Sequence, residues 1–134
     1  MGSRRWLAAR FAAPVLLCGL VAGCVDHDSN AQKFCDRNAE LLDPEQDGQV
    51  LSEDQAVFFS DEVEKSMRFA EDGTRDLRRT ARRLADAYSD IRGIAGDDDV
   101  PDKEVREKYA ELREQRAATR DVCADLTAAK EARG

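Results

Sequence analysis

Histidine is almost missing from this 134-residue chain: the single one is His27. An imidazole zinc cluster or a nucleophile–histidine–acid set inside a folded core therefore has no residues to draw on, and no glycine-rich phosphate loop stands in the sequence. No catalytic residue is assigned, and no enzymatic activity is expected. Runs of β-branched residues are lacking as well, and only three prolines occur, of which Pro44 and Pro101 fall at obvious breaks. Long apolar runs are also scarce: the stretch from Phe11 to Val21 has 11 positions, whereas a helix that spans a bilayer takes about 20. What is plentiful is Ala, Glu, Arg and Leu, residues that lose little freedom in a helix. Charge is one-sided. Against 28 acids stand 21 bases, and because the first 23 residues hold three arginines and no acid, the chain from Cys24 onward carries 18 − 28 = −10. A surface of that sign does not attract nucleic acid, and by the same argument an anionic membrane repels it.

The first 23 residues combine Arg4, Arg5 and Arg10 with the apolar stretch and then Val21-Ala22-Gly23 directly before Cys24. This is the layout of a cleaved targeting segment, and the four residues ending in Cys24 resemble the lipobox of bacterial lipoproteins. The resemblance implies cleavage before Cys24 and a diacylglycerol on its sulfur. It also implies a protein held on the extracytoplasmic face of the cell membrane, where two acyl chains suffice for stable anchoring. Ser3-Arg4-Arg5-Trp6-Leu7 also looks like a twin-arginine export motif, although paired arginines equally supply the plain positive charge of such a segment. Removing the signal leaves 134 − 23 = 111 residues, enough for one compact domain. The expected division is a signal at 1–23, a lipidated tether at 24–28 and a helical domain at 29–134. Arginine outnumbers lysine by 16 to 5, so that the whole resembles the small helical lipoproteins of high-GC Gram-positive bacteria.

With Cys18 in the signal and Cys24 lipidated, Cys35 and Cys123 remain. In an oxidising compartment they read as a disulfide, with two buried free thiols as the alternative.

Periodicity predicts an all-α antiparallel up-down bundle of four helices. The first is expected over Ser29–Leu42, with Ala31, Cys35, Asn38 and Leu42 on one stripe and Pro44 as its stop. Ser52 and Gln55 have the spacing of a capping box ahead of a seam through Ala56, Phe59, Val63, Met67 and Ala70. The same phase continues through Leu77, Ala81, Leu84, Tyr88 and Ile91. A break at Gly73-Thr74 gives two helices there, and an unbroken rod gives three in all; the break is preferred because a bundle then buries both seams. Gly93, Gly96 and Asp97-Asp98-Asp99 are expected to form a loop, with Asp99 and Pro101 opening the last helix. Its seam is Val105, Tyr109, Leu112, Arg116, Thr119, Cys123 and Leu126, the weakest because of its polar members. Tyr88 and Tyr109 are expected to pack in the core with hydroxyls at its edge, and of Phe58 and Phe59 one should face inward and the other outward.

Two charged features remain. Arg75, Arg78, Arg79, Arg82 and Arg83 are expected to pair with the acidic flank of the preceding helix, or else to form a docking patch for an acidic partner. The segment Asp43 to Asp54 resembles an EF-hand or dockerin calcium loop, with Asp43, Glu45, Asp47, Gln49 and Asp54 as ligands and Gly48 at the sharp turn. The same residues also read as an acidic connector made of turn chemistry. The functional expectation is a non-enzymatic interaction or structural module at the membrane, with a calcium-responsive binder as the alternative.

Overall fold

The computed structural model describes residues 22–133, with side chains from Ser29 onward. The described residues form four helices, α1 (Ala22–Arg37), α2 (Glu53–Glu71), α3 (Arg75–Ile94) and α4 (Asp102–Arg133), with one 3-10 turn, Pro44–Gln46, between α1 and α2. Each helix packs on the next and α1 closes back on α4, which makes an antiparallel up-down bundle. No strand occurs among the described residues.

The chain breaks at Gly73, so the rod is excluded. Thr74 caps α3 by accepting the Leu77 N–H on its hydroxyl, as expected, but Gly73 is not a left-handed stop, since Gly96 is the only described residue with a positive φ. Its lack of a side chain serves close approach instead: a Cβ there would lie 3.3 Å from the Ala31 Cβ of α1 and 3.2 Å from the Ala70 carbonyl oxygen. The capping box at α2 forms in full, Ser52 Oγ accepting from Gln55 N–H and Gln55 Oε1 from Ser52 N–H.

Several boundaries and faces differ from expectation. α1 starts seven residues before Ser29 and ends at Arg37, where the chain tightens into a turn with Ala39 N–H on the Asp36 carbonyl at 3.4 Å; the carbonyls of Leu41, Leu42 and Asp43 further on are taken by arginines of α4. Its stripe also includes Phe34, fully buried. In α2 the inward residues between Ala56, Val63 and Ala70 are Ser60 and Ser66, while Phe59 and Met67 are half-buried at the flank. Small side chains there let the helix axes approach, and Ser66 Oγ takes a hydrogen bond from the Asn38 amide at 2.9 Å. Gly93 lies inside α3, and α4 begins at Asp102 with Asp99 held by the Asp97 carboxylate instead of capping. The α3 seam is buried throughout: Leu77, Ala81, Leu84, Tyr88 and Ile91, joined by Ala87. Phe59 packs toward Tyr88 with ring centroids 6.1 Å apart, and Phe58 is exposed.

Cys35 and Cys123 are bonded across α1 and α4, their Cα atoms 5.7 Å apart, inside the range a disulfide bridges. Of the five arginines expected to pair with α2, only Arg82 does, with Glu71 at 3.4 Å; the second bond between these helices is Arg92 to Asp61 at 3.1 Å. The reason is angular. On a helix of 100° per residue, Arg75, Arg78, Arg79, Arg82 and Arg83 centre opposite the buried stripe of Leu77, Ala81 and Leu84.

Candidate functional site

The polar centre of the bundle is Arg116, 3% exposed on an inward position of α4. Its guanidinium is consumed by the segment that links α1 to α2. Nε donates to Asp47 Oδ1 at 2.9 Å, Nη2 to the Asp43 carbonyl at 2.9 Å, and Nη1 to the Leu41 carbonyl and to Tyr88 Oη at 2.6 Å. One turn on, Arg120 grips the same carboxylate, Nη1 on Oδ1 at 2.8 Å and Nη2 on Oδ2 at 2.7 Å, and reaches the Leu42 carbonyl at 3.2 Å. Lower in the bundle Tyr109 Oη accepts the Leu51 N–H at 2.9 Å. The connector, with little secondary structure of its own, is thus fastened to α4 at five backbone or side-chain points.

This is a charge-assisted arrangement whose members satisfy one another. The hydrogen bond from Arg120, with those and the charge from Arg116, holds the Asp47 carboxyl below the usual carboxylate range, against the opposing effect of partial desolvation. Burial pushes the Tyr88 phenol up, while the adjacent Arg116 guanidinium pulls the other way. Beside the clamp, among Gln49, Leu51, Phe59, Tyr109 and Leu112, lies a cavity of about 10 Å³, the room of a single water molecule. The arrangement fixes a loop, and this cavity itself has no room for an organic ligand.

The residues singled out in the sequence fall as follows. The signal segment lies outside the described residues except for the backbone of Ala22 and Gly23, and so do the side chains of Cys24 and His27. Cys35 and Cys123 are brought together. The five candidate calcium ligands are not: among the described residues no group of three His, Cys, Asp or Glu could hold a metal ion. Asp47, central to the loop pattern, has both oxygens on arginine, Asp43 Oδ1 takes the Glu45 N–H at 3.0 Å to cap the 3-10 turn, and Asp54 lies in the exposed first turn of α2. The connector reading accounts for Asp43 as a cap and Asp47 as the clamped carboxylate. Millimolar calcium is expected to leave the melting temperature of the protein unchanged; a rise would show that the loop rearranges around the ion.

Sequence reasoning passed over Arg120 and placed Arg116 only as a polar member of the α4 seam. The available signal was an arginine on an inward seam, which is stable only when paired, together with a second arginine four positions on.

No family model, curated protein or solved structure matches the chain.

Proposed function

We propose that this chain is a membrane-anchored extracytoplasmic lipoprotein whose bundle acts as a non-enzymatic interaction or structural module. The observation that carries the reading is the division of the four cysteines: Cys24 stands directly after Val-Ala-Gly at the end of a signal-like segment, and Cys35 and Cys123 lie at bonding distance. A disulfide suits a compartment outside the cytosol. Cleavage before Cys24 would take only Ala22 and Gly23 from α1, so the mature chain keeps all four helices. The clamp at Arg116 supports the module reading in that its donors are spent on holding the connector. A bundle stapled at one level and clamped at another presents fixed outer faces, which is what a docking module at a membrane needs.

The test is metabolic labelling with a clickable palmitate analogue, followed by membrane fractionation. The wild type is expected to incorporate label and to sediment with membranes, and Cys24→Ala to lose the label and appear in the soluble extracytoplasmic fraction. A wild type that takes up no label would overturn the lipoprotein reading.

A further inference from the structure

The net charge conceals a strong polarity along the bundle axis. At the end where α2 begins and the α3–α4 loop lies, Glu53 beside Gly96, Asp54 and residues 97–104 supply seven acids against Lys103. At the other end, the first half of α3, residues 75–84, carries five arginines against Asp76. All five are exposed, and apart from the Arg82 to Glu71 pair none has an ion-pair partner among the described residues. Their spacing of three, one, three and one puts them on a single stripe about 12 Å long on the outer side of α3.

The chain's N-terminal side lies at this same end. Ala31 is level with the α2–α3 turn, its Cβ against Gly73, so the part of α1 from Cys24 to Ala31 runs about 10 Å past that turn. The lipidation position and the arginine stripe therefore flank one pole.

We propose that the arginine stripe Arg75, Arg78, Arg79, Arg82 and Arg83 docks on the anionic headgroups of the membrane beside the lipid anchor, directing the acidic pole away from it; this rests on the lipoprotein reading. Charge complementarity selects the occupant. A cluster of four to eight bases next to an anchor is attracted by anionic lipid. The seven acids at residues 53–54 and 97–104 sit at the opposite end of α3, beyond a Debye length of about 8 Å at physiological ionic strength, so they do not cancel the attraction.

The test uses the mature chain from Cys24 with Cys24→Ser, so that no acyl chain contributes. It is sedimented with vesicles of phosphatidylcholine alone and of phosphatidylcholine with phosphatidylglycerol, at low and at physiological salt. Binding is expected to be at least tenfold stronger on the anionic vesicles at low salt and to weaken with salt. The triple variant Arg78→Glu, Arg79→Glu, Arg83→Glu is expected to lose that preference while melting as the parent does, because these side chains are exposed. Equal binding to both vesicle types, a triple variant that binds like its parent, or an arginine-dependent capture of an acidic protein without any vesicle preference would each overturn the proposal. Absence of palmitate label on the full chain is a separate result, which removes the anchor while leaving the vesicle comparison to be read on its own.

Discussion

Arg116→Ala is expected to destabilise the domain by about 3–5 kcal/mol, the range for removing one partner of a buried, hydrogen-bonded charge pair. Small domains have only about 5–15 kcal/mol in total, so the denaturant midpoint should fall by about a fifth or more. The loss has three parts. Truncation leaves the carbonyls of Leu41 and Asp43 and the Tyr88 hydroxyl without their donor, and each buried orphan costs about 1–3 kcal/mol. It leaves a void beside Leu112 and Tyr88. It also leaves Asp47 with Arg120 alone, on the more exposed side of the clamp. Arg116→Lys should fall in between, since one ammonium carries the charge but does not reach carbonyl, phenol and carboxylate in one plane. A double-mutant cycle with Asp47→Asn isolates the pair itself, and a coupling near zero would mean that the guanidinium acts only through the carbonyls and Tyr88. Acid is expected to reveal the same clamp. Asp47 titrates lower folded than unfolded, so its contribution is full above the unfolded carboxylate pKa of about 3.9 and is lost as pH falls through the lower folded value. Asp47→Asn should flatten that part of the stability-against-pH curve, and an unchanged slope would remove Asp47 from the account.

Breaking the disulfide is the second large expectation. The bond closes a separation of 88 residues, for which the chain-entropy model gives roughly 4–5 kcal/mol at 25 °C. Cys35→Ser with Cys123→Ser, or reduction of the wild type, should therefore lower the melting temperature by tens of degrees, at about 4–8 °C per kcal/mol for a domain of this size. The effect should be uneven. α1 has the fewest ties to the rest, being packed on α2 and α4 less extensively than α3 is packed on its neighbours, so hydrogen exchange should rise first in α1 and the adjoining turn. A variant that melts within a few degrees of the wild type, with uniform exchange, would show that packing through Phe34 and Ala31 alone holds α1 in place.

These two expectations differ in how they could be seen beforehand. The staple was legible from the cysteine count and from the placement of Cys35 and Cys123 on inward stripes. The clamp was half legible: Arg116 stood out only as a polar flaw in the α4 seam, and Asp47 drew attention as a calcium ligand because acid, glycine and spacing in a turn look alike whether the carboxylate meets a cation from solvent or an arginine from 69 residues away.

By itself the sequence determined the four helices, the break at Gly73, the capping box at Ser52 and the seam of α3, because these depend on neighbours within about one turn. Tertiary structure alone decided the rest. Whether Phe59 or Ser60 faces inward depends on how closely α1 and α3 approach α2, and the path of the connector after α1 depends on arginines of α4 that take its carbonyls. That the arginines of α3 point away from the acids of α2 follows from the packing angle and not from composition. A net charge sums over the chain, but only the fold sets the outer arginine stripe of α3 and the acids of the α3–α4 loop at opposite ends of the bundle.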